Sequence, residues 1–363
     1  MKLLCFLLFL GFVSCSPDNR VIENTESFQK LIFTDTIEVV NQDISIAAIN
    51  PKIYVDSLLF TMDGAYQNLF MYNLNSDSLI IWDNDFIKGT HLPAVSLHDY
   101  TLYKGYIYMF YKAVYEVYQF DLLGNFIKKI SIQHSDEGSN AEGRELFEIT
   151  DEGQFIMNQE YNAAKSLQHL FQKTKQIGIF NQDGSALASF GSYPEVYKQG
   201  SMVLTKFYNY LVNEEVIYTL GSTGPPELIQ YNLTGKTINS EKFHLEDFNE
   251  EIYYYENSPF DSKINDQITQ IGKDVVRDDS LIYFSYQRYD NENPPEGYES
   301  LEYKLGVLDL ANESVNTFLI GGSNLVGTTK RMIPQIQDGK IYFLLSPNDI
   351  EKEQLLLVEA EIR

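Results

Sequence analysis

Five histidines, His91, His98, His134, His169 and His244, are the readiest metal ligands and general bases in the chain. None forms an i, i+4 helical pair with a Glu, and the closest two, His91 and His98, stand seven residues apart around Pro93. Scattered surface or turn histidines are the simpler reading. Two oxygen-rich runs suit Ca2+, which takes carboxylate and carbonyl ligands. They are Asp290-Asn291-Glu292-Asn293-Pro294-Pro295-Glu296 and His134-Ser135-Asp136-Glu137-Gly138. Neither has the Asp-x-Asp-x-Asp-Gly spacing of a calcium loop, and two prolines occupy the turn of the first. The expectation is therefore solvated acidic loops and no cofactor, with a bound Ca2+ as the alternative. Gly322 and Gly327 have the glycine spacing of a phosphate-binding loop, but Thr328 stands where that loop needs a lysine. No Gly-x-Ser-x-Gly elbow occurs, so an α/β-hydrolase nucleophile is absent.

Recognition chemistry is better represented. The stretch from Glu246 to Arg277 holds Tyr253-Tyr254-Tyr255 among acidic residues, and the stretch from Gln287 to Glu302 places Tyr289 and Tyr298 on either side of two prolines. Both are longer than a hairpin needs, and such loops are where scaffolds usually carry recognition. Tyrosines among Asn and Asp suit a protein or glycan interface. A strand or short helix covering the domain is the competing reading of Tyr253 to Tyr255.

The elements that position these residues follow from composition and pattern. The 363 residues carry 27 Lys+Arg against 51 Asp+Glu, a formal charge of −24, which repels phosphate backbones and excludes a nucleic-acid partner. Hydrophobic residues make up 44%, enough for a large core. With 26 Tyr and 23 Phe against a single Trp, the aromatic content favours pleated sheet. That one Trp82 ends a strand and reads as packing.

The N-terminus sets the compartment. Lys2 precedes an apolar run, and small Ser14 directly precedes Cys15. This is the layout of a secretory signal over residues 1–14, too short to span a membrane. A Cys at the cleavage point resembles a bacterial lipoprotein signal, with Cys15 lipidated and first in the mature chain. Cys5 would leave with the signal, so no disulfide is expected. Residues 15–32 read as a flexible tether, and 33–363 as the folded domain.

That domain is repetitive. A strand entered through a turn recurs with its central apolar residue at Leu59, Ile107, Phe155, Ile217, Ile282 and Ile341. Each of the first five is followed by a strand ending in Asn or Asp, at Asn73, Asp121, Asn181, Asn232 and Asp309. Hairpin chemistry follows at Gly124-Asn125, Asp183-Gly184 and Gly235-Lys236. Six units of about four strands predict an all-β, six-bladed β-propeller of antiparallel blades, since radially packed sheets cover each other's faces. The last unit is one strand short, while residues 33–40 form a spare strand. Pairing the two closes the ring and removes two edges. A pair of β-sandwiches is the competing fold.

With its lipoprotein-type signal, strand-Asp/Asn-turn-strand signature and six units, the chain resembles the NHL-like β-propeller lipoproteins of Bacteroidota. The resemblance implies a Gram-negative envelope, outer-membrane attachment on the periplasmic or surface face, and a monomeric domain. It transfers no catalytic residue. It also implies that Asp-Ser/Thr-aliphatic triplets are O-glycosylation acceptors, here at Thr36, Ser57, Ser78 and Ser280; a strand leaving a turn explains the same triplets. The function expected is non-catalytic binding of an envelope protein or glycan through loops on one face. The alternative is a metal-dependent hydrolase, lactonase- or esterase-like, with acidic ligands in the central channel.

Overall fold

The computed structural model describes residues 21–22, 31–40, 49–54, 58–62, 68–76, 78–133, 139–143, 146–161, 163–198, 208–221, 224–245, 248–251, 270–289, 301–321, 333–337, 340–345 and 354–362. Two strands precede the repeats, β1 (Val21–Ile22) and β2 (Leu31–Val40). A first sheet follows from β3 (Ile49–Tyr54), β4 (Leu58–Met62), β5 (Leu69–Asn73) and β6 (Ser78–Trp82). A second holds β7 (Asp99–Tyr103), β8 (Tyr106–Tyr111), β9 (Glu116–Asp121) and β10 (Phe126–Ser131). The third contains β11 (Ser139–Ala141), β12 (Phe147–Ile149), β13 (Phe155–Tyr161), β14 (Ile177–Phe180) and β15 (Ala186–Phe190), with helix α1 (Leu167–Lys173) inserted after β13. The fourth is β16 (Tyr208–Asn213), β17 (Val216–Gly221), β18 (Glu227–Asn232) and β19 (Thr237–Phe243). The fifth is β20 (Gln270–Asp278), β21 (Leu281–Tyr289), β22 (Leu301–Asp309) and β23 (Ser314–Gly321).

These five sheets each take their main strands consecutively from the sequence. The remaining sheet is composite: β24 (Ile333–Gln337), β25 (Lys340–Leu345) and β26 (Gln354–Ile362) are completed by β2. β2 pairs antiparallel with β26 from Leu31 opposite Ile362 to Val40 opposite Gln354. The spare strand therefore starts at Leu31, two residues before the expected 33. Val21–Ile22, inside the stretch read as tether, pairs parallel with Lys242–Phe243 on β19.

The arrangement is a β-propeller of four-stranded antiparallel blades. Inner strands neighbour one another around it, β7 beside β12, β16 beside β20, β20 beside β24, and β24 beside β3. The last contact brings residues 333–337 against 49–54 and so joins the two ends of the chain. Core residues lie between sheets rather than within one. Phe60, Met71 and Trp82 of the first sheet pack with Tyr100, Ile107 and Phe120 of the second. Phe155 and Phe180 of the third meet Tyr108 and Phe110 of the second. Each such buried side chain contributes about 1.5–3 kcal/mol that no single sheet can supply. Trp82 is fully buried, in keeping with packing.

The strand-ending Asn or Asp has a local task. Asp121 Oδ1 accepts from the amides of Leu123 and Asn125, and Asn232 Oδ1 from those of Thr234 and Lys236. These bonds fold the third-to-fourth-strand turn. Donation from the Asn125 side chain, with help from these amides, holds the Asp121 carboxyl below its ordinary value. The turn is completed by Gly235, at φ 82°, where an added Cβ would lie 2.5 Å from Phe190 of the neighbouring sheet. Gly235 thus serves both the left-handed turn and the close approach of two blades. Gly235→Ala is expected to lower the unfolding free energy by about 2–4 kcal/mol, from backbone strain plus overpacking. Chemical denaturation with an unchanged midpoint would contradict this.

Candidate functional site

Two places gather polar side chains with access to solvent. The first lies where inner strands converge. In the repeat register, Lys52, Thr101 and Glu148 occupy equivalent positions, each opposite the residue that follows Leu59, Ile107 or Phe155. Lys52 Nζ donates to Glu148 Oε1 at 2.7 Å and, at 3.4 Å, to Thr101 Oγ1. The Thr101 hydroxyl donates to Glu148 Oε2 at 2.6 Å. Lys52 and Glu148 belong to the first and third sheets, which are not adjacent in sequence order, so their contact passes along the inner edge of the second. Lys52 also lies 5.6 Å from the centroid of the Tyr100 ring, whose hydroxyl donates to Phe60 O at 2.8 Å.

Chemically this is an ammonium, a hydroxyl and a carboxylate satisfied by one another. Both carboxylate oxygens are engaged, one by the cation and one by the hydroxyl. The set therefore ties three blades together. The second and third sheets are stitched again by Tyr103, whose hydroxyl donates to Asp151 O at 2.7 Å, and by the pairing of Lys112 with buried Glu142.

The second place is a groove of about 580 Å3 between the third and fourth sheets. One wall is the segment after β15, with Tyr193, Pro194, Glu195 and Tyr197; the other is the face of β18 and β19, with Glu227, Ile229, Tyr231, Ser240 and Lys242. Helix α1 holds the first wall. Phe171 packs edge-on against Tyr193 and Tyr197 at 4.8 and 5.7 Å, and Gln168 Nε2 donates to Lys198 O at 3.0 Å. Ser166 caps that helix by accepting from the His169 amide at 3.1 Å. On the opposite wall Glu227 and Lys242 are register partners, and Ser240 Oγ donates to Glu227 Oε1 at 2.6 Å. Burial, reinforced by the Glu227 charge, raises the Tyr231 hydroxyl above its ordinary value, so it stays protonated. Apolar walls with a few convergent polar groups, at this volume, are the form of a small-ligand or chain-end site.

Loop length and composition do not mark the groove. Its signal was the interval between Phe155 and Ile217, 62 residues against 48 for the two before it, filled by α1 and by Tyr193-Pro194 through Tyr197.

The residues singled out from sequence are dispersed. Cys15, Tyr253, Tyr254, Tyr255, Tyr298 and Ser57 lie outside the described residues, as do both acidic runs, residues 322–330 and His134. Tyr289 ends β21 opposite Leu301, and Thr36 sits in β2 opposite Val358. Ser78 opens β6, exposed, with its hydroxyl 2.8 Å from that of Ser76. Ser280 is in the β20–β21 turn, partly buried and hydrogen-bonded to Asp309. Of the histidines, His91 is exposed, His98 stands edge-on to Phe110, His169 edge-on to Tyr161, and His244 Nδ1 is 2.7 Å from Glu250. Among the described residues no three His, Cys, Asp or Glu side chains group as metal ligands, and no helix is long and apolar enough to cross a membrane.

The inner-edge set is open to a double-mutant cycle. Glu148→Gln and Lys52→Met are each expected to cost about 1 kcal/mol, with a coupling of up to about 1 kcal/mol, since both side chains are partly solvated. Additive denaturation midpoints would show that the three blades are not joined through this pair.

No protein-family model and no curated protein matches the sequence. Solved structures do. The chain superposes on a member of the DUF4221 family from Bacteroides vulgatus with a TM-score of 0.67 and 13% identity, over 93% of this chain and 99% of that one. It superposes on a protein of Bacteroides fragilis described as exported with a TM-score of 0.61 and 11% identity, over 95% and 100%. At these identities the likeness establishes a shared propeller fold, without an NHL assignment.

Proposed function

We propose that this protein is an envelope-tethered β-propeller that binds a partner chain, glycan or peptide, without transforming it. The groove between the third and fourth sheets carries the reading. Partly exposed Ile229 offers apolar area above a floor of largely buried Tyr193, Tyr197 and Tyr231, while Glu227, Ser240 and Lys242 offer acceptors and donors at fixed places. About 580 Å3 accommodates two sugar or amino-acid units of such a chain. In this reading the composite sheet is the sixth blade, and Cys15 is lipidated at the end of a signal. The fold shared with a Bacteroides fragilis protein described as exported supports an envelope location. The proposal extends to Tyr253, Tyr254, Tyr255, Tyr289 and Tyr298 as further partner-contacting residues.

The test uses the chain from Ser16 onward, labelled and applied to arrays of bacterial glycans and of envelope-protein peptides. Ile229→Arg, which places a long cation in the groove, is expected to weaken the bound class about tenfold, about 1.4 kcal/mol. Leu123→Arg, on an exposed turn, serves as the control and is expected to bind as the parent chain does. Equal binding by both variants, or consumption of the bound compound over time, would contradict the proposal.

A further inference from the structure

The outer strands of three consecutive sheets share an irregularity. In β10 the pairing with β9 skips Ile127, in β15 the pairing with β14 skips Leu187, and in β19 the pairing with β18 skips Ile238. All three residues stand six positions after the turn-forming Asp121, Asn181 or Asn232. Each is the extra residue of a β-bulge, and a bulge re-aims its side chain. They are 46%, 53% and 54% exposed, among the most exposed large apolar residues described. The equivalent strand of the first sheet pairs without a skip; in the fifth the skip falls at residue 320, and Val315, six positions after Asp309, is paired and fully buried. Single exposed aliphatics are ordinary on a surface. One at the same bulge in three adjacent blades is a built row.

The row lies at one end of the molecule. In each of the five sheets built from consecutive strands, the antiparallel order puts the turns joining first to second strand and third to fourth strand on the same face, and residues 127, 187 and 238 directly follow the latter turns. Leu123, 69% exposed, sits in one of those turns, and Tyr106, 38% exposed, begins β8 on the same side. The N-terminus leads there too. β1 runs parallel to β19 with Val21 opposite Lys242, so the chain enters β1 from the side on which β19 carries Ile238. Five residues lie between Cys15 and Val21, a reach of at most about 20 Å when extended.

We propose that this rim, formed by Ile127, Leu187 and Ile238 with Leu123, is a membrane-docking surface that seats the propeller on the lipid to which Cys15 is attached. The proposal rests on the lipidation of Cys15. The row is aliphatic, which suits the acyl-chain boundary, whereas protein interfaces favour aromatic anchors. β10, β15 and β19 together hold three lysines and one glutamate, in a chain with 51 acidic and 27 basic residues, so the rim is spared the general negative charge. The acidic inner turns at Asp151-Glu152 and Glu214-Glu215 lie nearer the axis and stay in water when the propeller tilts onto its rim.

Brominated phosphatidylcholine vesicles carrying the full lipidated chain provide the test. Leu187→Trp and Ile238→Trp report from the rim, and Val114→Trp reports from the opposite face, where Val114 is 42% exposed in the β8–β9 turn; native Trp82 is fully buried. The expected result is loss of fluorescence for the two rim variants and none for Val114→Trp. Equal quenching in all three, no quenching, or burial of the rim probes in vesicle-free protein through self-association would overturn the docking surface. Intact mass of the full chain reports acylation separately. If Cys15 proves unmodified, its thiol in a chain beginning at Cys15 is coupled to a maleimide phospholipid and the quenching repeated, so that a failed anchor is told from a failed rim.

Discussion

Every sheet in this molecule has a first strand and a last strand, and a ring of such sheets is stable only if its ends meet. The pairing of β2 with β26 is the interaction on which the rest depends. Residues 31–40 and 354–362 come from opposite ends of the chain, and their ladder supplies the outer strand that β24–β26 lack. Without it β26 would be an unpaired apolar edge, an invitation to aggregation. With it, β24 sits beside β3, so the sheet built from the chain's last strands lies against the first. The inner-edge set then follows, because Lys52 of the first sheet reaches Glu148 of the third only when the sheets radiate from one axis.

Much of this was legible in the sequence, for definable reasons. The central apolar residues from Leu59 to Ile341 mark second strands because each follows a turn whose geometry is coded locally. Lys104, Glu214 and Asp279 all adopt positive φ there. Asn73, Asp121, Asn232 and Asp309 mark third strands because their side chains fold the next turn. A vacancy at one end and a surplus strand at the other then dictated closure by simple pairing. These signals are local, repeated and tied to backbone hydrogen bonds.

What escaped is what depends on contact between sheets. Lys52, Thr101 and Glu148 are unlike residues 49 and 47 positions apart, and only the register of three inner strands makes them equivalent. The groove needs α1, whose Phe171 fixes Tyr193 and Tyr197, and that buttress leaves in the sequence only a longer interval between repeats. The bulged row at Ile127, Leu187 and Ile238 is in plain view at Asn/Asp plus six, and alternation counted back from buried Ile130, Phe190 and Phe243 already places these residues outward. Only the skipped pairing shared by the three strands shows that they are equivalent bulge residues. The groove and the row share the fourth sheet, whose β19 also carries β1. The proposed groove and the proposed lipid-facing row thus share the third and fourth sheets, next to the strand β1 that continues from the N-terminus.

The most direct measurement is the thermal unfolding of a chain that begins at Asn41, beside one that begins at Ser16. Ring closure through β2 requires that the shorter chain lose cooperative unfolding or melt far below the longer one, because β26 loses its whole outer ladder. Coincident melting curves would contradict the closed ring and, with it, the shared axis on which the inner-edge contacts depend.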